Sequence, residues 1–315
     1  MSLEDRYSAI RAEISKVIYG QDEVVDFALA ALFSSGHILL EGPPGIAKTL
    51  LVRTIAQTLS LEFRRVQMTP DLLPGDVTGS SIYREDTREF EFRQGPVFTN
   101  FLLADEINRA SARTQSSLLE AMQEVRVTHD GETHQLPDPF IAFATQNPIE
   151  QEGTYPLPLA QLDRFMFKVL VDYPDQESEQ RILREHHASG GLSNPESMGV
   201  TAVVTPTDII EARQIIRDTH VRDEVIGYVS ELLIATRTDD ALSVGASPRS
   251  GLMLLMAAKS FARFAGRDFV IPDDVQQSFL PVMRHRIVLS PSTELEGIYA
   301  DEVLLNLLEA IEVPR

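Results

Sequence analysis

Glu41-Gly42-Pro43-Pro44-Gly45-Ile46-Ala47-Lys48-Thr49 follows the apolar run His37-Ile38-Leu39-Leu40 and precedes a helix-like stretch, Leu50 to Leu59. The order is strand, glycine-rich loop, helix, the context a phosphate-binding loop requires. Small residues let backbone N–H groups turn inward around phosphate oxygens. The helix that follows adds its positive N-terminal end. A lysine in the first turn opposes the macrodipole, so Lys48 has a poor structural reason to stand there; a bound polyphosphate removes the conflict. Thr49 supplies a hydroxyl for Mg2+. The usual pattern has Gly before the lysine; this chain has Ala47, which takes positive φ less easily. The nucleotide-contacting set read here is Gly42, Pro43, Pro44, Gly45, Ile46, Ala47, Lys48, Thr49 and Leu50.

A length of 315 residues suits two domains, or a large domain and a small one. Hydrophobic content of 43% is ample for a packed core. The net charge of −19 argues against a broad nucleic-acid surface, because phosphate contacts need dense Lys and Arg. A local basic pore stays open. Without cysteine there is neither a disulfide nor a thiolate metal site. No run of 18 apolar residues and no signal-peptide pattern occurs, so the expectation is a soluble cytoplasmic protein with no membrane insertion.

The pattern predicts helices over 3–18 and 21–34, broken at Tyr19-Gly20, then strand 37–41 and helix 48–59. A strand follows at 62–68, and the Pro/Gly/Asp-rich stretch from Asp71 to Gly79 reads as loop. Glu89-Phe90-Glu91-Phe92-Arg93 alternates strictly, the mark of a half-exposed strand. Phe101-Leu102-Leu103-Ala104 and Phe140 to Thr145 are apolar runs suited to strands buried on both faces, and Phe165 to Val171 is a further strand. Ser111 caps a helix to about Glu124, and 125–136 reads as a hairpin turning at Asp130-Gly131. Strands separated by helices imply a parallel sheet sandwiched by helices. After Pro174 no buried-strand pattern remains. Helices are expected at 175–187, 206–219, 222–237, 248–265 and 272–284, with 189–205 as linker. The polar stripe Lys259, Arg263, Arg267 on an otherwise apolar stretch suits the central helix of a small bundle.

A nucleotide site needs a second half. Asp105 and Glu106 end a buried strand, and adjacent carboxylates repel when buried. A cation and a water explain them: Asp105 holding Mg2+, Glu106 polarising the attacking water. Asn147 ends the next apolar strand, where its amide suits orienting water or the γ-phosphate, although Asn-Pro is also an ordinary turn signal. Arg249 falls in the first turn of a helix, where a positive charge is better explained by an anion than by the dipole. Arg164, between Gln161-Leu162-Asp163 and a strand, has a plain alternative as a partner for a neighbouring carboxylate.

Five segments occur in order: Gly42 to Thr49, Leu103-Ala104-Asp105-Glu106-Ile107-Asn108-Arg109-Ala110, Ala144-Thr145-Gln146-Asn147-Pro148, Gln161-Leu162-Asp163-Arg164-Phe165 and Gly245-Ala246-Ser247-Pro248-Arg249. Together they resemble the MoxR family of AAA+ ATPases, from about Val17 to the C-terminus. Ala before the loop lysine is usual there. The resemblance implies an αβα P-loop core over 1–188, with an insert at about 71–97 and a hairpin at about 125–136, and a small α-helical lid over 206–315. It implies that Lys48 and Thr49 are the Walker A residues and Asp105 and Glu106 the Walker B pair. Asn147 would be sensor 1, Arg164 the arginine finger and Arg249 sensor 2, with Arg109 and Arg113 as rival subunit-crossing arginines. Ile18, Tyr19 and Gly20 align with the segment near adenine. ATP and Mg2+ are the implied ligands and a homo-oligomeric ring, six copies by family expectation, the implied assembly. Hydrolysis would move lid against core to remodel or mature a separate protein, such as a von Willebrand A domain partner, or assist metal-cofactor insertion.

Three other readings compete. A nucleotide-gated assembly switch would bind ATP with little turnover, and the presence of both carboxylates argues against it. A DNA motor is disfavoured by the −19 charge. The motor subunit of a metal chelatase is the nearest neighbour, and the Leu103 to Ala110 wording favours MoxR.

Overall fold

The computed structural model describes residues 2–148, 153–189 and 194–314. The chain opens with α1 (Leu3–Ile14) and α2 (Asp22–Phe33), then β1 (Ile38–Glu41), α3 (Lys48–Thr58) and β2 (Phe63–Gln67). Next come α4 (Pro74–Thr78), β3 (Gly79–Arg84), β4 (Glu89–Gln94), β5 (Phe101–Asp105), a 3-10 turn at Ile107–Arg109 and α5 (Ala112–Glu124). β6 (Arg126–His129) and β7 (Glu132–Gln135) form a hairpin, followed by β8 (Ile141–Gln146), α6 (Leu159–Leu162), β9 (Phe167–Leu170) and α7 (Gln176–Ser189). The remainder is α8 (Pro206–Arg217), α9 (Asp223–Thr238), β10 (Leu242–Val244), α10 (Pro248–Phe264), α11 (Pro272–Met283), β11 (Val288–Leu289), α12 (Pro291–Leu295) and α13 (Ala300–Ala310).

Five strands form one parallel sheet in the order β2-β5-β8-β1-β9. The central strands are apolar throughout because both faces are covered. With side chains alternating, Leu40, Phe101, Leu103, Ile141 and Phe143 face one cluster, and Leu39, Leu102, Ala104, Ala142 and Ala144 the other. The first cluster also takes in α1, α2, α3 and α8 to α11. The second is closed by α5, the β6–β7 hairpin and the segment around Val77 and Val97. Phe27 of α2 joins the halves, meeting Phe167 of β9 and Phe261 of α10 at ring separations of 5.0 and 5.2 Å.

Several expectations are corrected. α1 stops at Ile14, four residues early, because Lys16 and Val17 close tight turns on Glu13 and Ile14. This frees Gly20, at φ +70°, to approach Ser178. The expected loop 71–79 contains α4, with Pro74 at its first position and Asp76 accepting the Leu73 N–H at 2.8 Å. Strand 89–93 pairs with the unexpected β3, and its two aromatic residues fare differently. Phe92 stacks on His134 at 4.2 Å, while Phe90 meets Tyr83 and remains 73% exposed. Beyond Pro174, β10 and β11 form a short antiparallel pair among the helices. The polar stripe of Lys259, Arg263 and, just beyond α10, Arg267 is wired to its neighbours. Lys259 Nζ donates to Arg217 O at 2.7 Å, Arg263 Nε to Thr219 Oγ1 at 2.8 Å, and Arg267 pairs with Asp274.

Of the expected linker, residues 190–193 lie outside the described residues. The rest packs along α1 and α3: Thr201 N–H donates to Glu13 and Val203 N–H to Thr58 O. No described helix is long and apolar enough to cross a membrane.

Candidate active site

The loop after β1 is shaped by three backbone positions. At Gly42 a Cβ would lie 2.2 Å from the Val171 carbonyl, so only glycine lets the loop press against the end of β9. Gly45 sits at φ +86°, and Ala47 is left-handed at φ 60°, ψ 26°. Ala47 thus takes the conformation that the usual glycine would, at a cost of roughly 1 kcal/mol. Left-handed residues set into such a turn direct neighbouring N–H groups inward and form an anion cradle. Ile46 is half-buried against the core, Pro43 and Leu50 are half-buried, and Pro44 is exposed. Lys48 opens α3, and its ammonium donates to Gly42 O at 2.6 Å and Pro43 O at 3.3 Å. Burial pushes its pKa down, opposed by Asp105, Glu106 and Glu41, so all three carboxylates act on this ammonium. Thr49 follows in the same turn.

Asp105 ends β5 and is 8% exposed. Thr145 Oγ1 donates to its Oδ1 at 2.5 Å, and Arg65 of β2 reaches Oδ2 through Nη2 at 2.6 Å and Nε at 3.0 Å. Glu106 is left-handed at φ 57°; its N–H donates to Thr145 Oγ1 at 2.8 Å. Gln67 Nε2 and Arg109 Nη1 donate to its carboxylate at 2.7 and 3.0 Å. Arg109 is therefore a partner of Glu106 in its own chain; Arg113 is exposed on α5. Asn147 is buried one residue beyond β8, the strand between β5 and β1. All these groups stand at the C-terminal edge of the sheet, where open α/β sheets bind ligands.

The donor set fits a nucleoside triphosphate with a divalent cation. It offers the loop amides, an ammonium, a hydroxyl and a carboxylate held at both oxygens. Among the described residues no cluster of three or more His, Asp or Glu could hold a metal by itself. A cation here would share its ligands between Thr49, Asp105 and phosphate oxygens.

Ile18 and Tyr19 are half-buried ahead of α2. The guanidinium of Arg181 lies 4.0 Å over the Tyr19 ring, and Gln21 Nε2 donates to Asp172 O at 2.9 Å.

Arg164 and Arg249 are not with the others. Both line a cavity of about 290 Å3 with Ser34 to His37, residues that precede β1, whereas Lys48 lies beyond its far end. β1 thus stands between the two groups, roughly 10 Å of strand. His37 at that edge is buried: Nδ1 accepts the Ala142 N–H at 3.1 Å, leaving Nε2–H for the Met122 carbonyl at 3.0 Å. Burial pushes its pKa down to about 4.

Sequence reasoning missed Arg65, Gln67 and Thr145, which hold the carboxylate pair. The signal was weak. Arg65 and Gln67 alternate on an edge strand, and only the β2–β5 register, which sets Gln67 beside Asp105, gives them meaning.

A parallel sheet in this order, a lysine-threonine loop after its β1 strand and a carboxylate pair at the end of β5 define an ATPase of the AAA+ class. Residues 37–167 match the "ATPase family associated with various cellular activities (AAA)", and residues 234–306 match the "AAA lid domain". The chain is 44% identical over 301 residues to the uncharacterised protein YeaC of Bacillus subtilis, covering 96% of this chain and 92% of that one. It is 43% identical over 312 residues to Chaperone MoxR1 of Mycobacterium tuberculosis, covering 96% and 81%. A crystal structure from Cytophaga hutchinsonii, of a protein assigned as an ATPase, superposes with TM-score 0.90 at 40% identity and covers 99% of this chain and 96% of that one. The chain belongs to the MoxR family of AAA+ ATPases.

Proposed function

We propose that this chain is the subunit of a ring, six copies by family expectation, that hydrolyses Mg-ATP to remodel or mature a separate protein. In this reading residues 1–188 are the ATPase core, 189–205 the linker and 206–315 the lid. Lys48 and the loop amides would stabilise charge developing on the phosphates. Bound Mg2+, held by Thr49 and Asp105, would neutralise phosphate oxygens. Glu106 would orient and polarise the attacking water, with Asn147 beside it. Ile18, Tyr19 and Gly20 would flank adenine.

One observation carries the ring: Arg164 and Arg249 share a cavity at the edge of β1 opposite Lys48, Asp105 and Glu106. A single copy cannot bring both sets to one nucleotide. A head-to-tail junction can, and such junctions close into rings. Both arginines would then serve the adjacent copy. A net charge of −19 favours a protein client over nucleic acid. A von Willebrand A domain protein or a metal-cofactor enzyme is the client class expected, acting in the cytoplasm.

The test is ATP turnover across a protein-concentration series for wild type and Arg164→Ala, with assembly followed by light scattering. Specific activity is expected to rise with assembly, and Arg164→Ala to bind ATP without turning it over. Turnover independent of concentration that survives loss of Arg164 would end the ring reading.

A further inference from the structure

Three consecutive side chains just beyond α11, Arg284, His285 and Arg286, reach main-chain carbonyls of the segment that carries Arg164. Arg284 Nη1 donates to Lys168 O at 3.1 Å, and His285 Nε2 to Phe165 O at 3.0 Å. Arg286 donates to the carbonyls of Asp163 at 3.3 Å, Met166 at 3.2 Å, and also Phe165. Its Nε donates to Asp163 Oδ1 at 2.8 Å, and Asp163 Oδ2 lies 3.7 Å from Arg249 Nε.

The Arg286 side chain is 1% exposed. Burial pushes its pKa down to about 10, opposed by Asp163. A buried guanidinium is expensive to desolvate, and an apolar side chain would anchor the same helix end at less cost. The charge therefore calls for a reason beyond packing. Five donors in a fixed plane can fasten several carbonyls of one irregular segment at once, which no apolar residue can do. What it fastens is the residue before Arg164 and the two after it.

We propose that Asp163 and the Arg284-His285-Arg286 clamp are positioning residues. They hang the segment bearing Arg164 from the lid and hold it in register with Arg249. The two guanidinium groups then form one paired probe for the triphosphate bound by an adjacent copy. The inference rests on the ring reading above. Asp163 is its hinge pin: its carboxylate is shared by Arg286 and Arg249, and its own chain continues into Arg164. Paired, rigid guanidinium donors suit phosphate oxygens, and a wandering finger would lose that match.

The test uses full-length chains in mixed assemblies. Asp163→Asn is expected to bind fluorescent ATP as wild type does, to melt below it because buried Arg286 loses its counter-charge, and to lose turnover roughly tenfold or more. Lys48→Ala cannot use its own pocket but keeps its arginines. Mixed one to one, Asp163→Asn and Lys48→Ala should recover about a quarter of wild-type turnover, the share of head-to-tail junctions in a random mixture that join an intact pocket to an intact donor. A fold defect would not be mended by mixing. Arg164→Ala with Lys48→Ala is the control. If that control fails to recover, the ring reading itself falls. If it recovers while Asp163→Asn with Lys48→Ala does not, the positioning role is refuted, as it is by wild-type turnover in Asp163→Asn alone. Should Asp163→Asn not fold, Asp163→Glu, which keeps the charge on a longer arm, is read by the same pair of mixtures.

Discussion

Thr145 stands between the two carboxylates as a single hydroxyl that donates to Asp105 Oδ1 at 2.5 Å and accepts the Glu106 N–H at 2.8 Å. It fixes the end of one strand from the next. Asp105 is buried, so its oxygens need partners, and Thr145 and Arg65 supply them.

Thr145→Val keeps the shape and removes both hydrogen bonds. We expect stability to fall by roughly 1–3 kcal/mol, the cost of leaving buried polar groups unpaired. Turnover should fall more than nucleotide affinity, and Thr145→Ser should restore both. Urea unfolding and steady-state kinetics decide it; a silent Thr145→Val would mean that the hydroxyl is incidental.

Glu106→Gln is isosteric and keeps an acceptor for Gln67 and Arg109. It should bind ATP with unchanged affinity and lose turnover by roughly 100- to 10,000-fold, the span of general base contributions. Normal hydrolysis by this variant would remove Glu106 from the mechanism.

Two substitutions in the loop should behave oppositely. Gly42→Ala drives a methyl into the Val171 carbonyl, which is backbone and cannot step aside, so nucleotide binding should collapse and the melting temperature fall. Ala47→Gly relieves a left-handed alanine while loosening the unfolded chain, so stability should change by less than about 1 kcal/mol and binding should persist. Equal effects from the two would contradict the loop geometry.

His37 makes acid sensitivity predictable. Its folded pKa is about 4 and its unfolded value near 6.5, so between these the unfolded chain holds a proton that the folded chain does not. Stability therefore rises with pH across that window and is fully present above it. From pH 6.5 down to about 4.5 the loss from this residue should be on the order of 2–3 kcal/mol. Buried His285, also held well below its ordinary value, adds to the same slope. Urea titrations at several pH values should give a shallower slope for His37→Gln; an unchanged slope would show that His37 does not titrate on unfolding.

The centre of the sheet was legible because β1, β5 and β8 are short apolar runs buried on both faces, each ending in a turn signal or a polar group. The loop was legible because Gly42, Gly45 and Lys48 have no cheaper explanation. What stayed hidden had local reasons. Gly79-Ser80-Ser81 carries no alternation, so β3 was invisible until β4 paired with it. β10 and β11 are three and two residues long and exist through their mutual register. Arg284-His285-Arg286 reads as an ordinary polar surface stretch; the carbonyls it holds around Arg164 lie more than 110 residues earlier, and burial alone discloses it. Arg249 was visible as a charge in want of an anion, and Arg164 only through the resemblance. Their common cavity is a tertiary fact.

The apolar cluster that runs from the sheet through Phe27 into α10 and α11 has a mechanical consequence. Each large side chain in it is worth roughly 1.5–3 kcal/mol of burial, so parting the helical part from its own sheet would forfeit several such contributions at once. The sheet and the helices packed on it share one core. A calorimeter should see it melt in one step, and any movement of lid against core has to be a small shift about this shared cluster rather than a parting of the two.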